Sequence, residues 1–302
     1  MQISQDPEAL RTSLEWARTE GWNPGPFDQP AFVAVDPDGW FSAKGSDGGT
    51  EAADSSSEIV TTLGAVRYDD SFGFIGLYIT RPESRGQGIG RQVWALGREH
   101  LAEVACIGLD AVVEREATYA SDGFIRSHET SRYVGNVGAL REALHATPAA
   151  TGSEPLNLAP ASEIGGAKLS AFEQEHEVFP APRAGFIDEW IKQPDSTALV
   201  LVNSGNQIQG WGQVRLSADG RRIGPLFAQN FDQARLLLLE LIKDLDDTDS
   251  IAIDVPESNT VAVAFMTSAG FTPSFTCVRM YVGEPPRLDL TKVFGNTTFE
   301  LG

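Results

Sequence analysis

Leu77-Tyr-Ile-Thr-Arg-Pro-Glu-Ser-Arg-Gly-Gln-Gly-Ile-Gly-Arg-Gln-Val-Trp94 is the most informative stretch of this 302-residue chain. Its apolar start reads as a strand, Pro82 ends it, and Arg85-Gly86-Gln87-Gly88-Ile89-Gly90 opens a helix. Glycines let a backbone approach an anion closely, and the free N–H groups of a first helical turn point at it. The helix dipole and Arg85 add attraction for a pyrophosphate. A P-loop is excluded, because Arg91 follows Gly90 where Lys-Ser/Thr is needed. A dinucleotide fingerprint fails from either start, on Arg91 or on Val93.

On either side of this stretch the same motifs occur twice in one order. Gly64 and Val66-Arg67 recur as Gly212 and Val214-Arg215, and Ile75-Gly76 as Ile223-Gly224, at an offset of 148. Leu109-Asp110 is echoed by Ile253-Asp254, Gly123-Phe124 by Gly270-Phe271, and Tyr133-Val-Gly135 by Tyr281-Val-Gly283, at offsets of 144 to 148. This spacing is too long for a solenoid repeat and marks a duplicated domain. The expected domains are 1–148 and 154–302, joined near Ala146 to Ala161, a stretch rich in Pro, Ala and small polar residues.

In the first half, the pattern predicts a helix around Leu10 to Thr19 and strands at Ala31–Val35, Ile59–Tyr68 and Phe72–Thr80. A helix from Gly88 to about Ala105, a strand at Ile107–Val113 and a short helix ending at Gly123 follow. Lys44 to Glu58, rich in Gly, Ser and acids, reads as a long mobile loop. The second half repeats the order, with strands at Ala198–Val202, Ile208–Leu216, Ile223–Ala228 and Ile251–Val255. Asn230 reads as the cap of a helix striped by Ala234, Leu237, Leu238, Leu241 and Leu245, and Gly270 as the end of a helix from Thr260. The fold class is therefore α+β, sandwich-like: two tandem domains, each a mixed, mostly antiparallel sheet flanked by helices.

Composition narrows the partners. Asp+Glu number 42 against Lys+Arg 23, a net charge of −19, which disfavours nucleic acid and concentrates cationic ligands such as amines. No apolar run reaches membrane-spanning length, and Met1 to Ser13 lacks the basic start and apolar run of a secretory signal. Cys106 and Cys277 lie far apart among apolar neighbours, so a disulfide framework is not expected and a reducing cytoplasm is. His100, His145 and His176 lack metal-ligand spacing, and no metal is expected. Burial of sheet edges between tandem domains points to a monomer or weak homodimer.

Arg85 to Gly90 resembles the [R/Q]-x-x-G-x-[G/A] motif with which the GNAT acetyltransferase superfamily binds the pyrophosphate of acetyl-CoA. Tyr119-Ala-Ser-Asp-Gly123-Phe124 resembles its later Tyr-x-x-x-Gly-Phe element. Glu20-Gly-Trp-Asn-Pro-Gly25, Asp36-Pro-Asp-Gly39 and Phe299-Glu-Leu-Gly302 are similar to the two-domain YitH/HolE type. The resemblance implies that Arg85, Gly86, Gln87, Gly88, Ile89 and Gly90 hold the pyrophosphate. Backbone groups of Leu77, Tyr78 and Ile79 then take the pantetheine arm where the strand splays from its neighbour, and stabilise the oxyanion. Tyr119 stands at the position that returns a proton to the CoA thiolate. An alkyl amine has a pKa of roughly 10, so a proton acceptor is required. Glu114 is the first candidate, with Glu129 and His128 behind it.

The second half departs from the motif. Phe227-Ala-Gln-Asn-Phe-Asp232 has no glycine and an acid at the helix start, and Met266 stands where Tyr119 does. That half is expected to have lost the cofactor site and to line the amine pocket; Phe179, Arg183, Trp190 and Trp211 are candidates for that lining, with core packing the leading reading for each. The implied activity is acetyl transfer from acetyl-CoA to the primary amine of a small molecule by direct attack on the thioester. The alternatives are a non-catalytic acyl-CoA-binding sensor or scaffold, and a protein acetyltransferase acting on a lysine or an N-terminus.

Overall fold

The structure is a computed structural model and describes residues 2–45, 58–148 and 155–302. The first half runs β1 (Gln2–Gln5), α1 (Glu8–Thr19), α2 (Gln29–Val35), β2 (Trp40–Gly45), β3 (Glu58–Arg67), β4 (Phe72–Thr80), α3 (Ile89–His100), β5 (Cys106–Val112), α4 (Glu116–Ala120), β6 (Ile125–Asn136) and α5 (Val137–Ala146). The second runs β7 (Leu156–Pro160), α6 (Ala161–Ile164), α7 (Gly166–Glu175), α8 (Ala184–Trp190), β8 (Thr197–Asn203), β9 (Ile208–Leu216), β10 (Arg221–Ala228), α9 (Phe231–Leu241), β11 (Ser250–Pro256), α10 (Thr260–Ser268), β12 (Thr272–Gly283) and β13 (Val293–Gly295). Among the described residues, no helix is long and apolar enough to cross a membrane.

One sheet carries both halves, in the order β1-β2-β3-β4-β5-β12-β6-β11-β10-β9-β8-β7, with β13 beside β10. Its pairs are antiparallel except β4–β5 and β10–β11. The halves exchange their long C-terminal strands. β12 pairs with β5 of the first half, from Cys277 opposite Val112 to Gly283 opposite Cys106. β6 pairs with β11 of the second half, from Asn136 opposite Ser250 to Thr130 opposite Pro256. β6 and β12 then pair with each other at the centre. Neither half of the chain completes its own stretch of sheet.

Ala31–Val35, expected as a strand, is most of helix α2. Pro30 sits in its first turn, where a fixed φ suits a helix and a missing N–H costs nothing. Only Ala31 and Phe32 of this run are fully buried, while Val33 is 40% exposed. Phe32 stacks on Trp40, Phe186 and Trp190 at ring-centroid distances of 6.4, 6.5 and 6.2 Å, so α2 joins the halves through an aromatic core. The first strand of the pattern is instead β2. Residues 46–57 of the expected mobile loop and 149–154 of the expected linker lie outside the described residues. Asn230 does cap α9, its side chain accepting from the Gln233 N–H, and Gly270 follows α10 with a φ of +78°.

The two Ile-Gly pairs mark where parallel strands part. β4 and β5 stay paired from Phe72–Cys106 to Ile75–Leu109, and β10 and β11 from Arg221–Ile251 to Ile223–Ile253. In the second half β13 fills the gap, pairing with Leu226 and Phe227 while Asn296 N–H donates to the Asp254 carbonyl. The chain then runs on past β4. A Cβ on Gly224 would lie 2.4 Å from the Asn296 carbonyl oxygen, and one on Gly76 would lie 2.0 Å from that of Glu300. The Tyr68 hydroxyl donates to the Leu301 carbonyl at 2.8 Å. One segment thus blocks the second gap and forms a wall of the first.

Candidate active site

The gap between β4 and β5 opens into a cavity of about 930 Å³. It begins at a bulge. Thr62 of β3 stands opposite Ile79 and Gly64 opposite Gly76, so Leu77 and Tyr78 face the single residue Leu63. Leu77 takes a φ of +50°, a left-handed backbone that is costly for a branched apolar residue. Its side chain is buried and its carbonyl accepts from the Thr62 hydroxyl at 3.3 Å, which hold the bulge in place. Leu77, Tyr78 and Ile79 all line the cavity.

The glycine turn stands at one end. Gly86 and Gly88 both have φ of +77°, a conformation that other residues resist. Gly88 caps α3 without any side-chain acceptor, so no side chain competes for the N–H groups of its first turn. Asn230 blocks the equivalent position of α9. Gly90 packs so closely on β4 that a Cβ would meet the Tyr78 hydroxyl at 2.5 Å. Arg85, Gly86, Gly88, Ile89 and Gly90 line the cavity, whereas the Gln87 side chain turns back to the Glu83 carbonyl. Arg85 donates to the Thr80 carbonyl at 2.8 Å and to Glu20 at 3.0 Å. Arg91 and Arg115 add positive charge at the same mouth, and sequence reasoning missed both. Uncapped N–H groups, left-handed glycines and a ring of arginines fit a pyrophosphate.

Tyr119 lines the middle of the cavity on α4, packed on Trp94 at a centroid distance of 5.4 Å. Burial pushes its hydroxyl up to about 12, so it is protonated and able to donate at neutral pH. Glu114 lines the outer wall and is exposed to solvent. The other two base candidates lie elsewhere. Glu129 pairs with Arg126, and His128 lines a separate small cavity, where burial and then Arg279 hold its ring neutral down to about pH 3.

The second half supplies the far wall, but not through the four candidates, which take the alternative role of buried packing. Phe179, Trp190 and Trp211 are packed in the core between the halves, and Arg183 is locked to Glu173 at 2.6 and 2.8 Å. None of these four lines the cavity. They are the chain's bulky and cationic residues, and aromatic clustering signals burial before it signals a cleft. The wall is built from Ser274 to Cys277 on the exchanged strand β12, and from Phe299 and Glu300. The Phe275 and Phe299 rings meet edge to face at 5.8 Å, and Trp22 joins them from the first half. The Phe299-Glu-Leu-Gly302 motif was the sequence signal that could have found this wall.

Behind it lies a buried charge cluster. Arg132 forks both Asp254 oxygens at 2.7 and 3.0 Å, Arg222 pairs with the same carboxylate, and Arg215 stands 3.1 Å from Asp28. Arg132 also donates to the Trp22 carbonyl at 2.6 Å, fixing the segment that carries Trp22. Among the described residues, no group of three or more His, Cys, Asp or Glu side chains is placed to hold a metal ion.

Known proteins share this arrangement. Residues 8–125 match the family model "Acetyltransferase (GNAT) family", and residues 171–295 match "Acetyltransferase (GNAT) domain". The chain is 26% identical over 290 residues to Holothin acyltransferase of Pseudoalteromonas sp. (strain SANK 73390), spanning 95% of this chain and 90% of that one. Its fold is similar to a Pyrococcus horikoshii protein provisionally assigned as an acetyltransferase, with a TM-score of 0.72 at 19% identity over 100% of this chain and 95% of the other. A tandem GNAT protein from the clavulanic acid biosynthesis pathway superposes with a TM-score of 0.61 at 14% identity, over 95% and 99% of the two chains. Two matched domains, one exchanged sheet and one open cleft lead to a single assignment: the chain belongs to the GNAT superfamily of acyltransferases, as a tandem two-domain member.

Proposed function

We propose that this protein transfers an acetyl group from acetyl-CoA to the primary amine of a small molecule. The observation that carries this reading is the β4–β5 gap, which joins an uncapped, arginine-ringed helix start to an aromatic chamber, with Tyr119 between. The pyrophosphate would rest on the first turn of α3 with Arg85, and the pantetheine arm along Leu77 to Ile79. Acetyl-CoA supplies an activated thioester, and the chain supplies orientation, donors and a path for protons. A backbone N–H of the bulge is suited to an oxyanion, and the Tyr119 hydroxyl to a departing thiolate.

Trp22, Phe275 and Phe299 also line the cavity, and we assign the acceptor end to them, which favours a compact amine over a lysine on a folded protein. Acyl transfer also matches what the name of the Pseudoalteromonas relative states for that protein. We assign the cofactor site to residues 1–148 and the acceptor wall largely to residues 154–302, in a monomer or weak homodimer of the cytoplasm, where two buried free thiols are stable. Calorimetric titration with acetyl-CoA tests the reading. Saturable one-to-one binding, weakened tenfold or more in Arg85→Glu and Gly88→Asp variants of unchanged circular dichroism, supports it, and amine-dependent thiol release then separates enzyme from sensor. Absence of binding refutes it, and two-to-one binding refutes the assignment of a single cleft.

A further inference from the structure

We infer that Glu300 is the proton acceptor for the amine, standing in the wall of the cleft beside the β4 bulge. The inference rests on the acyl-transfer reading above and adds the residue which that reading lacks. Four carboxylates line the cavity. Glu20 is engaged with Arg85 at the pyrophosphate end. Asp110 is held by both arms of Arg279 at 2.6 and 2.8 Å. Glu114 lies at the solvent edge. Glu300 remains, and its backbone abuts Gly76, the residue just before the Leu77–Tyr78 bulge.

The surroundings of Glu300 suit proton exchange. It is 4% exposed, and the Thr298 hydroxyl donates to its Oε2. Among the described residues none donates a hydrogen bond to Oε1, because Arg222, engaged with Asp254, reaches it only at 3.9 Å. The charged groups that face it are Arg222 on β10, Arg132 on β6, Asp28 ahead of α2 and Arg215 on β9. Burial raises its pKa against the pull of Arg222 and Arg132, which brings a carboxylate toward the range of a working base. With Glu300 ionised, Arg132, Arg215 and Arg222 balance Asp28, Asp254 and Glu300.

Glu300 takes one proton from the ammonium form of the acceptor. The freed nitrogen pair forms the N–C bond to the thioester carbonyl carbon, and the carbonyl π pair moves to oxygen. As that pair returns, the C–S bond breaks and the thiolate takes the Tyr119 proton. The surplus N–H proton restores Tyr119, and the proton on Glu300 leaves to solvent.

Glu300→Gln and Glu300→Asp test the inference, with benzylamine, tyramine and spermidine as acceptors and thiol release followed from pH 5 to 9. The expected result for Glu300→Gln is a fall of about a hundredfold in kcat/KM for the amine. Its acetyl-CoA Kd should stay within about twofold of wild type, and the acidic limb of the wild-type profile should disappear. If the Gln variant does not fold, the Asp variant, whose carboxylate is withdrawn by one carbon, should lose about tenfold in rate and keep its acidic limb. An unchanged rate in either folded variant, or an acidic limb that survives in Glu300→Gln, overturns the role of Glu300 while leaving acyl transfer standing. If wild type binds no acetyl-CoA, or releases no thiol with any of the three amines, acyl transfer itself fails and this role fails with it.

Discussion

The Arg85 guanidinium lies 3.0 Å from the Glu20 carboxylate, so the cation at the mouth of the cleft already has an anionic partner. An incoming pyrophosphate competes with Glu20 for Arg85 and is repelled by its charge. Exposed pairs of this kind are worth about 0.2–1 kcal/mol. Glu20→Gln should therefore tighten acetyl-CoA binding by about two- to fivefold, with a smaller gain at 0.5 M salt on the scale set by screening. Weaker binding in a calorimetric titration would mean that Glu20 positions Arg85 rather than competing for it.

Tyr119→Phe removes the donor and keeps the ring packed on Trp94. Turnover should fall about a hundredfold with the acetyl-CoA Kd within about twofold of wild type. Because the hydroxyl titrates at about 12, any basic limb in the wild-type profile below pH 10 belongs to another group and should persist in the variant. An unchanged kcat would remove Tyr119 as the proton donor.

Gly76→Ala forces a methyl to within 2.0 Å of a backbone oxygen in the segment that walls the cleft. Overpacking of this kind costs about 1–3 kcal/mol, so the midpoint of thermal unfolding should drop by several degrees. Gly185→Ala in α8, where a Cβ meets nothing closer than 3.5 Å, is the matched control and should be neutral or mildly stabilising. Equal behaviour of the two in a melting experiment would deny the close approach.

A fragment of residues 1–148 lacks β12 and leaves β5 with an open edge. It should not fold as a monomer but aggregate or pair with a second copy, as seen by size-exclusion chromatography and circular dichroism. Co-expression with residues 154–302 should restore a folded complex. A well-folded monomeric fragment that binds acetyl-CoA would show that the exchanged strand is dispensable.

Acid should unfold the protein in two stages. His128 is held neutral to about pH 3, while an unfolded histidine takes a proton near 6.5, so stability declines as pH falls below about 6.5. Asp254 is held at about 2 against an ordinary 3.8, because Arg132 and Arg222 outweigh the burial that raises it. Its share, about 2 kcal/mol, is present above 3.8 and lost as pH falls through 2. His128→Gln should flatten the melting temperature between pH 6.5 and 4, and a slope equal to wild type there would exclude His128 as its source.

What the sequence revealed was local. The strand, proline and glycines of Leu77 to Gly90 each act through their own backbone, and Asn230 caps its own helix, so neighbours in sequence suffice to read them. Ala31–Val35 failed because five apolar residues fit a strand or a helix turn, and a packing partner 154 residues beyond Phe32, Phe186, decides between them. The strand exchange was hidden for a related reason. β6 and β12 are copies of one strand, each ending in a Tyr-Val-Gly motif, so either sequence suits either neighbour. Glu300 reaches the cleft only because the segment after β13 is threaded between the halves, a path that no periodicity encodes.

The exchange also sets an order of events during synthesis. β5 ends at Val112, yet the strand that covers its edge ends at Gly283. At typical elongation rates the nascent first half waits roughly 10–30 s for its neighbour, with a parting pair of strands exposed on the ribosome. The cleft cannot take its final form until β12 and the segment carrying Phe299 and Glu300 have emerged.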